Sequence, residues 1–140
     1  MRSLLAIPAA TLIILGAALT FPACSDSTSS ASKIPVVTGG NFANTGLLTA
    51  TILRASVLVD GNVIASVNNA SPTRLATLIG TIELGSGTHT LSFRIDEQTG
   101  TSASYSTGAV QVRVGTSVQS LADKTKILST GEVIEYSFTI

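Results

Sequence analysis

Strict alternation of apolar and polar residues along short segments is the feature that most constrains the fold of this chain. The segments that share the alternation are Thr88–Ile95, Val110–Val114 and Ile134–Ile140. In the first of them, His89, Leu91 and Phe93 fall on one face of an extended chain, and Thr90 and Ser92 on the other. Because successive strand residues point to opposite faces, the pattern predicts strands with one buried and one wet face.

Turn signals separate further apolar segments. Asp60-Gly61 stands between the β-branched runs Val57–Val59 and Asn62–Ile64, which predicts a hairpin with a type I′ turn. Another strand is predicted for Leu75–Leu84, with Leu78, Ile82 and Leu84 on one face. About seven strands and no strong helix predict an all-β fold, an antiparallel Ig-like β-sandwich over residues 45–140.

Other segments carry less regular patterns. Leu47–Val59 predicts a long strand with a bulge near Arg54-Ala55, or two strands. Ile34–Val37 is interpreted as a short edge strand ended by Gly39-Gly40, inside a tether that spans 24–44. Asn68–Pro72 is predicted to be a loop, and Gly85–Gly87 a hairpin turn. Ser117–Ile127 is ambiguous and could contain one short turn of helix.

The N-terminal residues have the layout of a secretory signal peptide. Arg2 supplies positive charge, Leu4–Leu19 is apolar, and small residues follow as far as Ala23. This predicts a signal peptide over 1–23, which is excluded from fold reasoning. The sole cysteine, Cys24, lies where the apolar run gives way to a Ser-rich tract.

Ala23-Cys24 resembles the end of the lipobox of bacterial lipoproteins, in which the thiol after the cleavage site carries a diacylglyceryl group. The resemblance implies lipidation of Cys24 and attachment to a bacterial membrane. Two alternatives stay open: the apolar run is long enough to be an uncleaved membrane anchor, or an ordinary signal peptidase cuts nearby and releases the protein.

Charge limits the range of partners. Without residues 1–23, seven basic side chains stand against eight acidic ones, and the whole chain is only 11% charged. Nucleic-acid binding is therefore not expected, because it depends on clustered Lys and Arg. Ser, Thr, Asn and Gly supply most of the polarity, as is common in exported β proteins and in subunits that pack against copies of themselves.

A second resemblance concerns the middle of the chain. The run Val57–Gly61 has the form V-x-V-D-G, and Gly87–Leu91 has the form G-x-H-x-L. Together they resemble the PEGA and related Ig-like families of small exported bacterial sandwiches. The resemblance implies an architecture in which Gly61, Gly87 and His89 serve turns and core, usually within an accessory module of an envelope protein.

No residue pattern predicts catalysis. His89 is the only histidine, and the sequence contains no G-x-S-x-G nucleophile motif that could act with it. His89 is therefore interpreted as a partly buried structural residue. Asp96 and Glu97 are adjacent and point to opposite faces of a strand, which disfavours a carboxylate pair. We expect no metal or cofactor. Tyr105 is the one aromatic predicted to be exposed, too little for a sugar-binding platform.

These patterns predict a non-enzymatic, exported cell-envelope lipoprotein that acts as a structural or protein-interaction module. Its expected partners are the membrane, through the N-terminal lipid, and other proteins. The alternative is a self-associating surface or filament subunit that pairs through exposed edge strands. A hydrolase that uses His89 is a third and less favoured hypothesis.

Overall fold

Nine antiparallel strands in two sheets form the fold of the part of the chain that the structure describes. The computed structural model describes residues 32–46 and 50–140. The strands are β1 (Ile34–Asn44), β2 (Ile52–Val59), β3 (Asn62–Thr73), β4 (Leu75–Leu84), β5 (Thr88–Gln98), β6 (Ser102–Val114), β7 (Ser117–Leu121), β8 (Thr125–Ser129) and β9 (Val133–Thr139). The larger sheet has the order β4-β1-β6-β7, with β8 also paired to β6, and the smaller sheet has the order β3-β2-β5-β9.

The alternating segments form strands as predicted, and the all-β antiparallel sandwich is confirmed with nine strands instead of about seven. In β5, Leu91, Phe93 and Ile95 are fully buried between the sheets. Leu78 and Leu84 of β4 are buried as well. Two packed sheets with alternating inward-facing side chains share one apolar core, as such sandwiches do.

The predicted hairpin joins β2 to β3. Val59 pairs with Asn62, which leaves Asp60 and Gly61 as a two-residue loop with φ angles of 49° and 80°. Positive φ at both loop residues defines the type I′ turn, whose twist matches that of the flanking strands. The predicted irregularity in β2 is also present, since its register against β5 shifts on both sides of Arg54.

The expectation for β1 is wrong in both position and length. Residues 34–44 belong to the sandwich and not to the tether, and β1 lies between β4 and β6 rather than at an edge. Gly39 and Gly40 do not end the strand; they occur where β1 passes very close to its neighbours. A Cβ on Gly39 would lie 1.9 Å from the carbonyl oxygen of Leu78 in β4.

Two other local predictions are also corrected. Asn68–Pro72, predicted to be a loop, lies in β3, where the pairing with β2 jumps from Asn68 to Thr73 and accommodates the turn-prone residues in a bulge. Because β3 is an edge strand, Pro72 is tolerated there. The suggested helical turn within Ser117–Ile127 is absent: that segment contains β7 and the start of β8.

Tyr105 is fully buried, contrary to the exposure predicted from the polar residues around it. Its ring stacks on Phe42 with ring centroids 5.2 Å apart. Its hydroxyl donates to Gln98 Oε1 at 2.5 Å and lies 3.0 Å from Thr51 Oγ1. The Gln98 amide in turn donates to the Leu128 carbonyl at 3.2 Å, so these polar atoms are hydrogen-bonded within the core.

A second tyrosine links the two sheets. Tyr136 of β9 shares a hydrogen bond with the Thr107 hydroxyl of β6, on the opposite sheet. The Lys124 ammonium lies 4.5 Å from the centre of the Tyr136 ring. Removal of water around the hydroxyl raises the pKa of Tyr136 above its ordinary 10.

The close approach at Gly39 generates a testable prediction. We expect Gly39→Ala to lower the free energy of unfolding by about 2 kcal/mol more than Gly87→Ala, because a methyl group at Gly39 meets the β4 backbone. Gly87 is a matched control, since its φ of 138° is similar to the 152° of Gly39 but open space surrounds it. Urea denaturation measures both losses; equal losses would contradict the steric argument.

Candidate functional site

Three of the four residues singled out in the sequence lie within the part of the chain that the structure describes. Cys24 and the predicted signal peptide 1–23 lie outside the described residues. Gly61 is in the β2–β3 turn. Gly87 lies in the connection from β4 to β5, and His89 is the second residue of β5. The structure brings His89 close to the hairpin that contains Gly61, through the side chain of Asp60.

The turn at Gly85–Gly87 differs from the prediction. It is not a hairpin turn, because β4 and β5 belong to different sheets and the turn carries the chain from one to the other. The Gly87 amide donates to the Ile140 carbonyl at 3.0 Å, and the Ile140 amide donates to the Gly87 carbonyl at 2.9 Å. These two bonds fasten the crossover turn to the last residue of the chain.

His89 is held by two acceptors. Its Nδ1 donates to Asp60 Oδ2 at 2.7 Å and its Nε2 donates to the Gly85 carbonyl at 2.9 Å. Neither partner can donate a proton, so both bonds form together only when the imidazole carries both protons and is charged. The ring is 13% exposed and lies against Phe138, with ring centroids 5.6 Å apart.

Each partner stabilises the charged form of the other. The hydrogen bond to Asp60, then that to Gly85, raises the pKa of His89 above its ordinary 6.5 despite the loss of water around the ring. Partial burial alone would raise the pKa of Asp60, but the Thr90 amide and His89 together lower it below 3.8. The arrangement ties the hairpin, the crossover turn and β5 together.

The outer face of the larger sheet contains a depression that the sequence patterns did not predict. It encloses about 240 Å³. Its lining consists of Val37, Thr38, Gly39, Gly40, Ile79, Ala109, Gln111 and Arg113. Gly39 pairs with Ile79 on one side and Gln111 on the other, so a residue without a side chain lies between two residues that have them.

A bulge in β6 completes this depression. Between Gly39 and Asn41 the pairing of β1 with β6 slips by one residue, and Ala109 in the extra stretch adopts a φ of 51°. Paired glycines in an otherwise β-forming run can indicate such a bulge or close backbone approach. That signal was present at Gly39-Gly40, but it was interpreted as the end of the strand.

A second depression of about 400 Å³ lies between β8 and β9. Its lining consists of Lys124, Thr125, Lys126, Val133, Ile134 and Glu135. The Lys124 ammonium donates to the Glu135 carbonyl at 2.5 Å, and the Lys126 ammonium donates to the Val133 carbonyl at 3.2 Å. The two lysines therefore cover the outer edge of β9.

Within residues 32–46 and 50–140, no group of three or more His, Cys, Asp or Glu side chains is placed to hold a metal ion. The same part of the chain contains no helix of the length and hydropathy needed to cross a bilayer. Comparison with known proteins gave no match to a family model, a curated protein or a solved structure. The lipobox-like and PEGA-like resemblances therefore stay predictions.

The His89–Asp60 pair predicts a specific dependence of stability on pH. A folded-state pKa above that of the unfolded chain means that the stabilisation by His89 is complete below about pH 6.5 and is lost as the pH rises through the folded-state value. Because Asp60 is 42% exposed and screened by water, the loss should be about 1 kcal/mol or less.

Urea denaturation between about pH 6 and 9 tests this prediction, because the chain has no other histidine to titrate in that range. We expect the loss to disappear in His89→Gln, and to shift to lower pH in Asp60→Asn, which removes the carboxylate. Identical pH dependence in the parent and in His89→Gln would show that the contact contributes nothing. At the acid end, the contribution of Asp60 should fall away below about pH 3.8.

Proposed function

We propose that this chain is an exported bacterial envelope lipoprotein whose β-sandwich serves as a non-enzymatic structural or protein-interaction module. The membrane attachment rests on the sequence of the N-terminal residues, where Cys24 follows a signal-like apolar run. Stable attachment needs two or more acyl chains, which a lipidated N-terminal cysteine would supply. The folded part would then work at the membrane surface.

The interaction role rests on one observation, the aliphatic side chains on the outer face of the larger sheet. Five of them are between 38% and 68% exposed: Val37, Leu75, Ile79, Val118 and Ile127. The pairing registers place all five on the face that points away from the core. Aliphatic residues gathered on one exposed face are typical of surfaces that contact another protein.

The ionic contacts support a non-enzymatic role. Both nitrogens of His89 are bound to acceptors within the fold, which leaves neither free to act as a general base. Asp96 accepts a hydrogen bond from Arg94 Nε at 2.6 Å and another from the Ser56 hydroxyl. Glu97 instead lies 3.9 Å from Arg54. The neighbouring carboxylates thus bind different partners and do not form a catalytic pair.

Self-association of the chain is the second candidate function. The observation that favours it is the long edge strand β4, which among the described residues pairs with β1 on one side and with no strand on the other. An exposed edge of this kind can pair with another chain.

The proposed anchor predicts the mass and the location of the mature protein. We expect intact-mass measurement of the membrane fraction to find a chain that begins at an acylated Cys24, and we expect Cys24→Ala to leave the membrane fraction because the acceptor thiol is gone. Ser27→Ala, in the same polar tract, is the matched control and should stay membrane-bound. A mature N-terminus elsewhere, or membrane retention of Cys24→Ala, would refute the lipid anchor.

A further inference from the structure

The two sheets end in edges that differ in how well they are protected. In the larger sheet, β4 forms one edge, and β7 and β8 share the other. In the smaller sheet, the edges are β3 and β9. An unprotected edge strand presents unpaired amides and carbonyls that recruit a strand from another chain, and folded proteins commonly block such edges.

Among the described residues, the three edges other than β4 carry recognised forms of protection. The strand β3 breaks its register twice against β2 and contains Pro72, which has no amide hydrogen to donate. On β9, two carbonyls accept hydrogen bonds from the ammonium groups of Lys124 and Lys126. The remaining edge is divided between β7 and β8, each only five residues long.

The edge formed by β4 is capped only at its first residue, where the Thr73 hydroxyl accepts a hydrogen bond from the Leu75 amide at 3.3 Å and donates one to the Leu75 carbonyl at 3.2 Å. It is ten residues long, contains no proline, and pairs with β1 in one uninterrupted register from Leu75 to Leu84. Glu83, near its end, is its only charged residue. Leu75 and Ile79 are more than half exposed on its outer face. An edge with an uninterrupted register, one charged residue and exposed aliphatic side chains is suited to pairing with a further strand.

The outward-facing residues of β4 are symmetric for one position on each side of Ile79. Around Ile79 they are Thr77 on one side and Thr81 on the other, and each position is exposed. In a symmetric antiparallel pair of identical strands, residue i of one copy faces residue j of the other and the reverse also holds. With Ile79 on the axis, Ile79 would meet Ile79, and Thr77 would meet Thr81.

We propose that a second copy of this chain pairs with β4, antiparallel and centred on Ile79, and joins the two larger sheets across a two-fold axis. Cross-strand Thr–Thr and aliphatic pairs are among those that stabilise antiparallel sheets. Glu83 of each copy faces Leu75 of the other, beside Arg74, so the register places no like charges opposite each other. This proposal rests on the second candidate function, self-association through β4, and does not depend on the lipid anchor.

The number of open edges determines the kind of assembly. A pair formed by β4 with β4 uses the same surface on both copies and closes on itself. An open filament would need two different unprotected edges on each molecule, and within residues 32–46 and 50–140 only β4 presents a long edge whose one cap is at its first residue. The proposal is therefore a closed dimer, in which the exposed Ile79 and Leu75 of both copies come together.

Cysteine cross-linking in the full chain tests the contact directly. In the proposed pair the two residues at position 79 face each other, so mild oxidation of membranes that contain Ile79→Cys should produce a covalent dimer. Ile127→Cys is the matched control: Ile127 is an isoleucine on the same outer face, and is even more exposed at 68%, but lies on β8, away from β4. The parent chain gives the background from Cys24.

Equal dimer yields from the two variants, or none from Ile79→Cys, would overturn the proposal. Higher yield from Thr77→Cys than from Ile79→Cys would overturn the register centred on Ile79. A covalent product that joins Ile79→Cys to a different protein would identify another occupant of the edge and reject the second copy.

Sedimentation of the full chain in mild detergent supplies an independent measurement. We expect the parent and Ile127→Lys to contain two chains per particle, and Ile79→Lys to contain one, because two ammonium groups would meet on the axis. Circular dichroism should show the same strand content in all three. A single-chain parent, or the same behaviour from both lysine variants, would overturn the dimer whatever the result for the anchor.

Discussion

The larger sheet depends on the missing side chain at Gly39. A Cβ there would lie 1.9 Å from the Leu78 carbonyl oxygen, so β1 can keep its continuous ladder with β4 only if this position is glycine. Because Gly39 has no side chain, its backbone forms part of the floor of the outer depression. For the same reason Ile79, which pairs with Gly39, has no side chain directly beside it on β1. One requirement of backbone packing thus explains why the residue at the centre of the proposed dimer contact is 60% exposed.

The two layers are held together by apolar packing and a few buried polar contacts. With Cys24 as its only cysteine, the chain cannot form an intramolecular disulfide. Tyr105 is anchored inside the core by Gln98, and Tyr136 reaches across from β9 to Thr107 of β6. At one end of the sandwich, His89 joins the hairpin to the crossover turn. Each contact satisfies polar atoms that would otherwise be costly to bury, and each fixes one sheet or turn relative to another.

The alternation of apolar and polar residues correctly predicted strands such as β5 and β9. In these strands one face is buried and the other exposed, so the burial of each residue follows its polarity. The alternation did not predict strands in which backbone geometry matters more than composition. Gly39-Gly40 interrupt the alternation, but β1 continues through them. Asn68–Pro72 consist of turn-prone residues, but β3 continues through them in a bulge. The burial of Tyr105 depends on Phe42 and Thr51, which are distant in sequence. His89 and Asp60 are 29 residues apart in sequence. The exposure of β4 follows from the order of strands in the larger sheet. Local sequence patterns therefore could not predict the His89–Asp60 contact or the position of β4 at an edge.

The two proposals together constrain how the protein would sit on a membrane. Each chain enters the sandwich at Ile34, which pairs with Leu84 at one end of β4. In an antiparallel pair centred on Ile79, these entry points lie at opposite ends of the joined strands, roughly 33 Å apart for ten residues of strand. The residues from Cys24 to Lys33 can extend over at most about 35 Å. Both lipids can therefore reach one bilayer when the strands of the joined sheet run roughly parallel to its surface, an orientation that an isolated copy would have no reason to adopt.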